Sequence, residues 1–131
     1  MKKRTVLVIE DSVTWHGILR RWLEKSEYTV HIAGTCTEGL LQARLIKPDC
    51  ILLDFHLPDG NAVSLCAEIR KTLSTGTPPI IIFSGDPEAE GPAYRDCMAD
   101  KFVLKGLDAL KTLSSSIERA IAQHRPQLPS D

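Results

Sequence analysis

Cys50-Ile51-Leu52-Leu53-Asp54 is a run of four apolar residues that ends on a carboxylate. A run this short, with no polar alternation, fits a strand buried on both faces of a parallel sheet. Two further runs have the same shape. Val6-Leu7-Val8-Ile9 ends at Glu10-Asp11, and Ile80-Ile81-Ile82-Phe83 ends at Ser84. Tyr28–Ala33 is also extended in character, and so is Phe102–Leu104, which ends at Lys105. Helical spacing fills the gaps between these runs. Trp15, Ile18, Leu19, Trp22 and Leu23 form the first stripe, and Leu40, Leu41 and Leu45 the second. Ala62, Leu65, Cys66, Ile69 and Leu73 form the third, and Leu110, Leu113, Ile117 and Ile121 the last.

Local signals mark the helix ends. Thr35-Cys36-Thr37-Glu38 fits a capping box, and Pro48 stops the helix that follows it. Asn61 is placed to cap the third helix, after the turn Leu57-Pro58-Asp59-Gly60. Asp11 or Ser12 is placed to cap the first. Gly91-Pro92 falls where a fourth helix belongs, which predicts a short helix or one that begins only at Pro92. Ser74–Pro79 reads as a loop, and Pro126 and Pro129 mark a tail or linker. Strands alternating with helices predict an α/β fold, doubly wound around a five-stranded parallel sheet. No internal repeat breaks this alternation.

Composition narrows the function. The 131 residues make one domain, with residues 1–125 as its body and 126–131 as the tail. Apolar residues at 43% and charged residues at 25% describe a packed chain rather than a disordered one. A net charge of −1 argues against a nucleic-acid surface, and Lys2-Lys3-Arg4 reads as a solvated N-terminus. No apolar run approaches the roughly 20 residues of a membrane helix. Val6–Ile9 is too short for the apolar core of a signal peptide, so the expected location is the cytoplasm. Cys36, Cys50, Cys66 and Cys97 lack metal-site spacing and read as reduced, mostly buried side chains.

The chemistry is concentrated at the strand ends. In a doubly wound sheet the carboxyl ends of the strands share one edge, where sites form. That edge would gather Glu10, Asp11, Asp54, Ser84 and Lys105. Two like charges about 4 Å apart repel by about 4 kcal/mol at an effective dielectric near 20. Three clustered carboxylates therefore require cations. Lys105 supplies one, and an oxygen-only ligand set favours Mg²⁺ over zinc for the rest. Such a site suits phosphoryl chemistry, with a carboxylate as nucleophile and cations around the phosphoryl oxygens.

Together these pieces resemble a response-regulator receiver domain from about Arg4 to His124. The matching residues are Glu10-Asp11, Leu52-Leu53-Asp54, Leu57-Pro58-Asp59-Gly60, Ser84-Gly85 and Phe102-Val103-Leu104-Lys105. The resemblance implies a flavodoxin-like fold of strand order 2-1-3-4-5. It implies that Asp54 accepts a phosphoryl group from a histidine kinase or a histidine phosphotransfer protein. Glu10, Asp11, Asp54 and the backbone carbonyl of His56 would ligate Mg²⁺, with Mn²⁺ as a substitute. Ser84 and Lys105 would hold the phosphoryl group, and Ser84 with Phe102 would form the conformational switch. The output would pass to a downstream protein or a linked domain. His56 and Asp86 border the path of hydrolytic water and are expected to tune the lifetime of the phosphoryl group. Neither nucleic acid nor membrane is an expected partner, and composition does not fix an oligomeric state. The module would catalyse its own phosphorylation and dephosphorylation without being a metabolic enzyme.

The sequence departs from that pattern twice. Gly106 follows Lys105 where the family usually has proline, so Lys105 is expected to reach the site on a trans path eased by glycine, or with looser geometry. Pro87–Pro92 disfavours a regular start to the fourth helix. Rival readings fit less well. A binding module without phosphorylation leaves the acidic set unexplained. A haloacid-dehalogenase-like enzyme wants a second Asp at position 56, where His stands. A flavodoxin-like phosphate site would be repelled by Glu10-Asp11.

Overall fold

The computed structural model describes residues 2–73 and 76–124. The residues assigned above to the C-terminal tail lie outside that range, as do Ser74 and Thr75 of the predicted loop. The described strands are β1 (Thr5–Ile9), β2 (Thr29–Ala33), β3 (Cys50–Leu53), β4 (His56–Leu57), β5 (Gly60–Asn61), β6 (Ile80–Ser84) and β7 (Lys101–Leu104). The helices are α1 (Val13–Lys25), α2 (Cys36–Ile46), α3 (Ala62–Thr72), α4 (Glu90–Arg95) and α5 (Leu107–Gln123). The five longer strands form one parallel sheet in the order β2-β1-β3-β6-β7. This is the predicted topology, because β4 and β5 pair only with each other.

The sheet is buried on both faces because its strands alternate apolar residues to each side. Leu7, Ile9, Ile51, Leu53, Ile80 and Ile82 pack against α2, α3 and α4. Val6, Val8, Leu52, Ile81 and Phe83 pack against α1 and α5. Side chains of opposite parity thus feed two separate cores. Gly39 lets α2 approach the sheet, since a Cβ there would lie 2.7 Å from Ile9 Cδ1.

The expected caps form. Ser12 Oγ accepts the Trp15 N–H at 3.3 Å, and Thr35 Oγ1 accepts that of Glu38 at 3.1 Å. Asn61 Oδ1 accepts the Ser64 N–H at 3.2 Å. The α3 stripe is buried as read, with Leu73 packed at its margin. Two stripes need correction. Leu41 and Leu45 are exposed, while Gly39 and Ala43 face the sheet. Small residues at the contact bring α2 so close that its large residues turn outward. Trp22 is also largely exposed, and α1 rests on Leu19 and Leu23.

The fourth helix is short, as predicted, but begins at Glu90 rather than Pro92. A single 3₁₀ turn over Pro87–Ala89 leads into it, capped by Asp86, whose Oδ1 accepts the Glu88 N–H at 2.9 Å. Pro92 falls in the first turn of α4, where a missing N–H breaks no helical hydrogen bond. Among the described residues no helix is long and apolar enough to cross a membrane. All four cysteines are free thiols, and three of them are buried.

Candidate functional site

The sheet brings the predicted strand-end residues to one edge. Main-chain bonds fix two of them rigidly: Asp54 N–H donates to the Ile9 carbonyl, and Glu10 N–H to that of Ala33, both at 2.9 Å. Lys105 N–H donates to the Ser84 carbonyl at 2.8 Å. Glu10, Asp11 and Asp54 each present a carboxylate oxygen within 4.8 Å of the others. Asp11 faces solvent, whereas Glu10 and Asp54 are buried. Lys105 Nζ lies 2.5 Å from Glu10 Oε1 and 3.1 Å from Asp54 Oδ2.

This arrangement is electrostatically tense. Burial pushes the Glu10 carboxyl above the ordinary carboxylate range, and the nearby Asp54 charge adds to the rise. Hydrogen bonds from Lys105 and the Ser12 N–H oppose it without reversing it. For Lys105, burial alone would lower the ammonium pKa. The Glu10 and Asp54 carboxylates outweigh that and hold it above the usual lysine value. Glu10 Oε1 is buried, and the Lys105 ammonium is the group that faces it.

The loop after β3 carries the predicted His56 carbonyl. The Phe55 carbonyl takes the Ala62 N–H at 2.9 Å. Alternation along the antiparallel hairpin then puts His56 opposite Asn61 in a non-hydrogen-bonded pair. The His56 carbonyl is thereby left out of the ladder. The His56 ring is exposed, and its Nε2 meets Asp86 Oδ2 at 3.1 Å. The two residues assigned to phosphoryl lifetime thus pair with each other across the loops that follow β3 and β6. His56 is also the main reason the Asp86 carboxyl lies below its ordinary range.

The family model for the response regulator receiver domain matches residues 6–118, nearly the whole described chain. The chain belongs to this family. It is a receiver domain of two-component signalling. The KDP operon transcriptional regulatory protein KdpE of Escherichia coli is 31% identical over 119 residues, covering 91% of this chain and 52% of that protein. The response regulator ArlR of Staphylococcus saprophyticus is 31% identical over 122 residues, covering 93% and 54%. The chain therefore spans about half the length of the curated relatives it matches. The non-phosphorylated HemR receiver domain of Leptospira biflexa superposes with a TM-score of 0.77 at 28% identity, covering 95% of this chain and 99% of that one.

The remaining predicted residues of the receiver domain sit close by but are engaged elsewhere. Ser84 is buried, and its Oγ accepts the Asp86 N–H at 3.1 Å, closing the turn after β6. Phe102 is packed inward against the α2–α4 core. Its N–H donates to Tyr94 Oη at 2.9 Å, so α4 caps the outer edge of β7. All described peptide bonds are trans, including Lys105–Gly106. Gly106 is extended, with φ 165° and ψ 167°. Any L-residue except proline adopts that conformation, so the expected benefit of glycine's freedom is not what the site uses.

Several contributors were not legible beforehand. His16 Nε2 donates to the Glu10 carbonyl, fixing the turn that carries Glu10 and Asp11. Asp59 accepts the N–H groups of Cys36 and Thr37 at 2.7 and 3.1 Å, tying the loop after Asp54 to the start of α2. Trp15 sits beside Lys105. Turn composition announced Asp59 only as a turn residue, and helical spacing marked Trp15 only as part of a stripe.

Proposed function

We propose that Asp54 accepts a phosphoryl group from a phosphohistidine on a histidine kinase or histidine phosphotransfer protein. The observation that carries this reading is the convergence of three carboxylates with one lysine held between Glu10 and Asp54. Like charges at this spacing have no structural benefit of their own. The donor set fits a hard divalent cation, because Glu10, Asp11 and Asp54 each offer a carboxylate oxygen within 4.8 Å of the others. Glu10, Asp11, Asp54 and the His56 carbonyl would hold Mg²⁺, or Mn²⁺ in its place. When bound, the ion neutralises charge on the carboxylates and on the phosphoryl oxygens.

The chain's own residues then have distinct tasks. An Asp54 carboxylate oxygen forms the new bond to phosphorus while the phosphorus–nitrogen bond to histidine breaks, and its electron pair leaves with the imidazole. Lys105 pairs with one phosphoryl oxygen as Asp54 loses its own charge contact. Ser84 donates its hydroxyl to another, giving up the Asp86 N–H. Phe102 fills the space that Ser84 leaves, which reshapes the α4–β7 surface. The domain also hydrolyses its aspartyl phosphate, with His56 and Asp86 governing access of water.

We assign the receiver to residues 1–125 and read 126–131 as a tail or the start of a linker. Because the relatives are about twice as long, we expect the output to be a linked domain or a separate regulated protein, with no direct nucleic-acid or membrane contact by the receiver. Four free thiols fit a cytoplasmic location. The test is incubation with acetyl phosphate and Mg²⁺, followed by intact mass. A gain of one phosphoryl group is expected, abolished in Asp54→Asn and by chelation of the metal. No gain, or a gain that survives Asp54→Asn, contradicts the reading.

A further inference from the structure

Glu10 and Asp54 hold the Lys105 ammonium, but few groups direct the stem that carries it. Its backbone is fixed by one bond to the Ser84 carbonyl, and the next residue is Gly106, which offers no side chain to pack against. A lysine stem has several rotatable bonds and many conformers to lose. Aromatic neighbours narrow that choice. Lys105 Nζ lies 5.6 Å from the centroid of the Trp15 ring and 6.0 Å from that of Phe83. The two rings meet edge to face, 5.3 Å apart at 81°. Farther down the stem, Lys105 Cδ lies 3.9 Å from where a Cβ on Gly85 would stand. Trp15 is itself held, since Ser12 caps its N–H at the start of α1 and Phe83 is buried in the sheet.

We propose that Trp15 is a positioning residue for Lys105, its ring steering the ammonium into the acidic cluster from which it meets the incoming phosphoryl group. This rests on the phosphoacceptor reading above. A cation within about 6 Å of an indole face is attracted by the ring quadrupole, and tryptophan attracts it most. The ring is rigid and has only two side-chain torsions, so it limits the ammonium without adding a charge that would compete with Glu10 or Asp54. Trp15 acts through Lys105 and does not itself touch the phosphoryl group.

The experiment measures the rate of Asp54 phosphorylation by acetyl phosphate with Mg²⁺. It compares wild type, Trp15→Leu, Trp15→Phe, Lys105→Ala and the double variant Trp15→Leu/Lys105→Ala, after thermal melts establish which are folded. Trp15→Leu is expected to slow transfer by roughly three- to ten-fold. Trp15→Phe, which keeps a ring, should retain most of the rate. In the Lys105→Ala background Trp15→Leu should add nothing, because the residue through which it acts is gone. Equal rates for wild type and Trp15→Leu overturn the proposal, as does an undiminished Trp15 effect without Lys105. An unphosphorylated wild type would instead sink the phosphoacceptor reading, and this inference with it. If Trp15→Leu does not fold, a Trp22→Phe protein supplies the readout, with Trp15 as its sole tryptophan. Its emission should change when beryllofluoride and Mg²⁺ draw Lys105 away from the ring, and an unchanged spectrum overturns the proposal.

Discussion

His56 and Asp86 show how much one contact adds to a residue's reading. Sequence position placed both near the phosphoacceptor, but it could not reveal that they bind each other. Their ring and carboxylate meet at 3.1 Å between the loops that follow β3 and β6. Both are too exposed for the pair to add much stability. The role we propose for it lies in the path of water instead. His56→Ala and Asp86→Ala should each shorten the lifetime of phospho-Asp54, and the double variant should shorten it little further than either alone. Following loss of the phosphoryl group by intact mass after removal of donor checks this, and unchanged lifetimes would refute it. The carboxylates and Lys105 were legible because each ends an apolar run, and a strand end has a fixed place in a parallel sheet. Trp15 and His16 were not, because helical spacing assigns a face to a residue but does not say which strand-end group that face meets.

At the scale of elements, the strands and caps were legible because they depend on neighbours in sequence. Thr35, Asn61 and Ser12 cap helices that start one residue later. Asp59 is different, since it caps α2 from another loop and only the fold brings them together. Its oxygens accept two backbone N–H groups and the Thr37 hydroxyl, which hold its carboxyl at about 2. A carboxyl depressed below 3.8 stabilises the fold above that value and loses the effect as pH falls toward its folded value. The melting temperature of Asp59→Ala should therefore lie below wild type at pH 7. The gap should close between about pH 4 and 2. A gap that persists at pH 2 would show that Asp59 acts by packing rather than charge. The α2 stripe misled for a related reason. Hydrophobic spacing cannot tell a close helix seated on Gly39 and Ala43 from a distant one seated on leucines.

For the whole molecule, the parallel sheet followed from alternation of strands and helices and its strand order from the family resemblance, whereas the state of charge at its edge required the folded geometry. Burial raises the Glu10 carboxyl, so its ionisation opposes folding. The stability it contributes is full below its ordinary 4.5 and is lost as pH rises through the raised value. A divalent cation should restore what that ionisation removes. Millimolar Mg²⁺ is expected to raise the melting temperature at pH 7.5, less at pH 5, and less again in Glu10→Gln. Equal shifts in all three conditions would place the metal elsewhere. The central claim is narrower still: the phosphoryl group sits on Asp54 as an acyl phosphate. Borohydride reduces an acyl phosphate to the alcohol, so treating the phosphorylated protein should convert residue 54 to homoserine. Peptide mass spectrometry should find that conversion in the peptide spanning Cys50–Leu57, and only after acetyl phosphate and Mg²⁺. Conversion at Asp11, Asp86 or any other carboxylate, with Asp54 intact, would contradict the account.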